Sequence, residues 1–180
     1  GTQAERLADI LDAMGIQQAH VLGNSMGGQI AALFAARYPE RVRSLALFAN
    51  AGIDSPQKSE LYRLLARGEP NPLVIRQPQD FDKLLHFIFV EPPYLPESLK
   101  RYLGERAMAR AGHYEMVFKQ LRERAIALEP QLTRIQAPTL LLWGKQDRVL
   151  DVSSIEAMQP LLRQHSVVIM DDVGHAPMLE

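Results

Sequence analysis

Apolar positions alternate between helix-like and strand-like spacing at both ends of the chain, and lose that alternation in the middle. Leu7, Ile10, Leu11 and Met14 recur at i, i+3, i+4 and i+7, which predicts one face of an amphipathic helix. Gly15 follows where a helix favours a C′ glycine. Ala19 to Gly23 is a short apolar run that reads as a buried strand. Ile30, Leu33 and Phe34 mark the next helix, Ala31, Ala32, Ala35 and Ala36 allow close packing, and Pro39 ends it. Ser44 to Ala49 reads as another strand. Helix, strand, helix, strand in that order predicts a parallel sheet with helices on its faces.

The texture changes from about Asp54 to Pro130, where eight of the 12 prolines fall. No strand stands out there. Helical faces do, at Leu61/Leu64/Leu65, at Phe81/Leu84/Leu85/Ile88/Phe89 and at Tyr114/Val117/Phe118/Leu121. The alternation resumes with the strand Thr139 to Trp143. Ser153-x-x-Glu156 then has the pattern of a capping box, ahead of a helix carrying Ile155, Met158 and Leu162 that Pro160 should kink or shorten. Ser166 to Met170 is the last strand. The organisation is therefore a core, 1–53 and 131–180, interrupted by a helical insertion, 54–130.

Composition narrows the function classes. With 20 basic and 21 acidic residues among 180, the net charge is −1, so nothing electrostatic points to a nucleic acid. Cysteine is absent, which excludes thiolate nucleophiles, disulfides and cysteine-ligated metals. No uninterrupted apolar run is long enough to read as a membrane span.

The sharpest chemical signal is Gly23-Asn24-Ser25-Met26-Gly27-Gly28, between a predicted strand and a predicted helix. That context is what a nucleophile elbow requires. An abrupt strand-to-helix turn strains its central residue and presents Ser25 Oγ at the sheet edge. Gly23 and Gly27 are expected to be small so that strand and helix can approach. The Met26 N–H, at the helix start, would face a developing oxyanion. The alternative use of Ser25 is a helix N-cap. A serine nucleophile needs a base. Of the five histidines, His20 lies in the elbow strand and is expected in the core or just behind the site, while His86, His113 and His165 read as structural or surface residues. His175, in Val173-Gly174-His175-Ala176-Pro177, follows the last strand, where such sheets gather functional groups. Asp147 follows the preceding strand and gives the order Ser, Asp, His. Asp54 is its main rival, and Asp151, Asp171 and Asp172 are weaker ones.

The stretches G-N-S-M-G-G-Q, Y-P-E-R-V, W-G-K-Q-D-R-V-L-D-V and V-G-H-A-P-M-L-E resemble, in kind and order, the α/β-hydrolase superfamily. Within it the resemblance is to serine hydrolases such as monoacylglycerol lipases and bacterial lipase-esterases. The resemblance implies Ser25 as nucleophile, Asp147 as acid, His175 as base and Met26 as a backbone oxyanion donor. It implies the second half of an eight-stranded sheet with a helical cap insertion, in a chain truncated at both ends. The other oxyanion donor, from a His-Gly loop after an early strand, has no counterpart here. No cofactor or metal is implied, and the expected partner is a small-molecule ester with an apolar acyl chain. Membrane association would rest on a missing N-terminal part. Phe81, Phe87, Phe89 and Phe118 are candidates for the substrate pocket, as are Leu85 and Tyr94. A carbon–carbon bond hydrolase of a ring-cleavage dienoate shares the elbow and triad. A non-catalytic ligand-binding relative is the reading from another class. Dehalogenases and epoxide hydrolases of this fold use aspartate at the elbow, which Ser25 argues against.

Overall fold

The structure, a computed structural model, describes residues 2–123 and 126–180. Four strands form one sheet: β1 (Ala19–Asn24), β2 (Val42–Phe48), β3 (Thr139–Gly144) and β4 (His165–Met170). All neighbours are parallel, and spatial order follows chain order, β1-β2-β3-β4. The register aligns their C-terminal ends: Asn24 pairs with Phe48, Phe48 with Leu142, and Gly144 with Met170. Every segment leaving a strand therefore starts from one edge of the sheet.

Helix α1 (Gln3–Ala13) starts with a closed capping box between Thr2 and Glu5 and ends at Gly15, whose φ is +69°. Its inward face is Ala4, Ala8 and Leu11, while Ile10 and Met14 of the predicted stripe are exposed. The small residues face inward because α1 packs against the alanine-rich helix α2 (Met26–Arg37), and alanines let two backbones come close. Helix α2 is buried along most of its length and lies on β1 and β2. Phe34, Leu47, Leu141 and Trp143 are fully enclosed in the same core. Full burial of a side chain such as Phe34 contributes about 2 kcal/mol.

Between β2 and β3 lie helices α3 (Glu60–Ala66), α4 (Asp80–Ile88), α5 (Glu97–Met108), α6 (Ala111–Glu123) and α7 (Glu129–Leu132), with no strand among the described residues. Helices α3, α4 and α6 match the three apolar faces predicted above. Helices α5 and α7 were not predicted. After β3 comes α8 (Ser154–Met158), which passes into a single 3-10 turn, Gln159–Leu161, at Pro160. Leu162 lies beyond it.

Two expectations are corrected. His20 is exposed, because it shares a face of β1 with Leu22, two positions on, which is exposed too, and its Nδ1 lies 2.7 Å from Ser44 Oγ. The Ser153–Glu156 capping box does not form. Ser153 Oγ instead accepts the Gln57 N–H, and Asp151 accepts the Ser153 and Ser154 N–H groups. No described helix is long and apolar enough to cross a membrane.

Candidate active site

Ser25 sits at the junction of β1 and α2 with φ +54° and ψ −123°, outside the regions favoured by L-residues. Its side chain makes no capping bond to the helix. An N-cap serine normally has extended backbone and accepts from the first turn. Ser25 does neither, so helix capping does not explain it. Its own N–H donates to Phe48 O at 3.0 Å, and its carbonyl accepts from Ala51 at 2.9 Å, which fixes the turn against the end of β2. A methyl group at Gly23 would overlap the Gly27 carbonyl, so Gly23 is required as predicted. Gly27 is not required for packing, since a Cβ there meets nothing within 4 Å. The close approach falls to Gly28, which lies against Asn50. Met26 opens α2, where first-turn N–H groups have no intrahelical acceptor.

Asp147 and His175 meet although they lie 28 residues apart, with Nδ1 of the histidine 2.8 Å from Oδ2 of the aspartate. The aspartate side chain is fully enclosed. Its other oxygen accepts the N–H groups of Val149 and Leu150 at 2.8 and 2.9 Å. A carboxylate only accepts, so the imidazole Nδ1–H is the donor in this bond. The histidine loop is anchored from three sides. The His175 N–H donates to Ile88 O at 2.7 Å, at the end of α4. The Gly174 N–H donates to Glu180 Oε2 at 2.6 Å, while Glu180 Oε1 accepts from Val90 and Glu91. Asn24 Nδ2 donates to Phe48 O and His175 O, at 3.1 and 3.2 Å. Asn24 precedes Ser25, so one amide ties the elbow to the histidine loop. Sequence reasoning missed Asn24 and Glu180.

The other candidates have different partners. Asp54 pairs with Lys58 and is largely exposed; Asp171 pairs with Lys145; Asp172 accepts from Gln146. His86 Nδ1 and His165 Nδ1 lie beside backbone carbonyls.

Ser25 and Met26 line a cavity of about 470 Å³, within the usual range for small-molecule sites. Its walls are mostly apolar and include Leu61, Leu73, Val117, Phe118, Leu121 and Leu150. Of the predicted pocket residues, Phe118 lies on this wall. Phe87 does not, because it packs beneath it with Leu61 and Val149. Phe81, Leu85 and Phe89 cluster instead with Ala176 of the histidine loop. Tyr94 is 91% exposed. The apolar face of α4 thus supports the site from behind.

Arg148, next to Asp147, makes a two-pronged ion pair with Glu60 at 2.6 and 2.8 Å. That hydrogen-bonded pairing holds the Glu60 carboxyl below its ordinary 4.5, against the opposing effect of burial. A carboxyl lowered on folding adds stability above its unfolded value, and that stability is lost as pH falls through the folded one. Glu60→Gln is therefore expected to melt about 2 °C below the parent at pH 7, as befits a solvent-screened pair. The gap should close as pH falls below about 4.5. A constant gap from pH 7 to pH 3 would count against this assignment.

These features belong to one architecture, the α/β hydrolase fold, and the family model described by that name matches residues 1–180. The chain belongs to that family. It is 35% identical over 183 residues to Lipase 3 of Moraxella sp. (strain TA144), covering 99% of this chain and 57% of that protein. Among solved structures, a membrane phospholipase A superposes with a TM-score of 0.97 at 62% identity, covering 100% of this chain and 58% of the other. The 2-hydroxy-6-oxo-6-phenylhexa-2,4-dienoate hydrolase of Rhodococcus sp. strain RHA1 superposes with a TM-score of 0.80 at 26% identity, covering 98% and 64%. The chain thus spans little more than half the length of the lipase it matches.

Proposed function

We propose that the protein is a serine hydrolase that cleaves carboxylic esters with apolar acyl chains, such as a monoacylglycerol, through an acyl-enzyme. The observation that carries this reading is the strained, non-capping Ser25 on the wall of an apolar cavity. Ser25 Oγ attacks the ester carbonyl while His175 Nε2 accepts its proton. Asp147 holds the imidazole in the tautomer that leaves Nε2 basic and stabilises the imidazolium that forms. The Met26 N–H donates to the carbonyl oxygen as it gains charge. The tetrahedral adduct collapses, the C–O bond to the alcohol breaks, and His175 returns the proton to that oxygen. Water then attacks the acyl-serine with His175 again as base, releasing the acid. The helices of 54–130 act as a cap over the acyl chain.

A dienoate carbon–carbon hydrolase is the second reading, favoured by the likeness to the Rhodococcus enzyme. The full-length protein should be assayed on p-nitrophenyl butyrate and dodecanoate, a monoacylglycerol, a phospholipid and a ring-cleavage dienoate. Ester turnover and fluorophosphonate labelling that depends on Ser25 are expected. Turnover of the dienoate alone would replace the ester reading with the second one. Absence of Ser25-dependent labelling would overturn both.

A further inference from the structure

One guanidinium joins three parts of the molecule. Arg148 Nε and one terminal nitrogen donate to the two oxygens of Glu60, at the start of α3. Its remaining terminal nitrogen donates to His86 O of α4 at 3.0 Å. The guanidinium carbon lies 4.7 Å from the centre of the Phe87 ring, so the cation covers that aromatic face. The Arg148 carbonyl accepts the Leu61 N–H at 2.9 Å. Every one of these contacts runs from the loop of Asp147 to the helical insertion.

The placement of this clamp relative to the cavity gives it a consequence. Leu61 and Tyr62 follow Glu60 and line the cavity; Val149 and Leu150 follow Arg148 and line it too. Phe87 packs behind that wall, against Leu61 and Val149. The ion pair therefore closes the outer side of the wall whose inner side an acyl chain would meet. A lysine could not reproduce the arrangement, because it lacks the planar fork that meets two carboxylate oxygens and stacks on a ring.

We infer that the Arg148–Glu60 clamp is a specificity-determining device: it fixes the cap wall formed by Leu61, Tyr62, Val149 and Leu150 and thereby sets how well long acyl chains are held. This rests on the ester-hydrolase reading above. A long acyl chain fills more of the cavity of about 470 Å³ than a short one, and so meets more of its wall. Loss of the clamp should therefore act on affinity for long chains and leave the chemistry on short ones alone.

The test uses the full-length protein with Glu60→Gln, Arg148→Lys and the double variant, on p-nitrophenyl butyrate and dodecanoate. The dodecanoate-to-butyrate ratio of kcat/KM is expected to fall about tenfold in each single variant, the equivalent of about two buried methylenes. The fall should be carried by KM, with kcat on butyrate within about twofold of the parent. The double variant should be no worse than the poorer single one, since both remove one interaction. Unaltered fluorophosphonate labelling of Ser25 confirms a folded site, and Glu60→Asp serves if a single variant fails that check. An unchanged chain-length ratio, additive effects, or an equal fall in kcat on both esters would overturn the inference. Calorimetric binding of dodecanoate against butyrate makes the same comparison without turnover. An inactive parent whose dodecanoate binding still depends on the clamp would sink the hydrolase reading and spare this one.

Discussion

Ser25→Gly is expected to abolish ester hydrolysis and to raise the melting temperature. In the proposed mechanism Ser25 is the nucleophile, and removing the nucleophile of a cooperating triad costs about 10⁵- to 10⁶-fold in kcat, because base and acid then have nothing to activate. The stability change has a separate origin. Ser25 holds φ +54° and ψ −123°, a conformation that costs an L-residue about 1–3 kcal/mol. Glycine adopts it without strain, and gives back about 0.5–1 kcal/mol in unfolded-chain entropy. A net gain of about 1 kcal/mol should appear as a rise of about 2–4 °C. Ser25→Ala should lose the same activity without the same gain, since alanine keeps the Cβ. Turnover by Ser25→Gly within about 100-fold of the parent would remove Ser25 from the mechanism. A lower melting temperature would show that the strain lies elsewhere.

Asp147→Asn should lower kcat by about 10³- to 10⁴-fold while leaving the protein folded. The amide oxygen can still accept the Val149 and Leu150 N–H groups, so the loop keeps its shape. The amide nitrogen then faces His175 Nδ1, where the carboxylate stood. Two donors cannot share that bond, so the imidazole must move its proton to Nε2, the nitrogen that accepts from Ser25 in the proposed mechanism. The ring stays in place in the wrong tautomer. KM should change little, because Asp147 is not part of the cavity wall. An Asp147→Asn protein with kcat within about tenfold of the parent would show that another group orients His175.

The encounter of Asp147 with His175 was legible because each follows a strand, and parallel strands bring those ends to one edge. The strand-to-helix turn at Ser25 was legible because glycines flank a serine between an apolar run and a helical pattern. What the chain did not disclose is set by contacts far apart in sequence. Arg148 and Glu60 lie 88 residues apart, and a pairing of that span leaves no local pattern. The pocket assignments of Phe81, Phe87 and Phe89 failed for a related reason. Helical spacing reveals that a face of α4 is buried, but not whether it faces a cavity or the loop of Ala176. Helix α5 was invisible because Gly104 is its only buried residue, seated against Phe81 and Pro78. The pattern Ser153-x-x-Glu156 misled because Gln57, from a distant segment, occupies the serine oxygen.

The chain leaves the sheet at Phe48 and returns at Thr139, on strands that pair directly, Leu45 opposite Thr139 and Phe48 opposite Leu142. The two roots of the insertion are thus stitched together by the sheet itself. For descent with modification this is an open socket: helices can be lengthened, shortened or exchanged there without disturbing the register of a single strand. What a newcomer must bring is a carboxylate to meet Arg148 and a carbonyl to receive the His175 N–H. A transplanted segment that satisfies those two requirements keeps the loops of Asp147 and His175 braced as they are here, and one that satisfies neither leaves them unbraced.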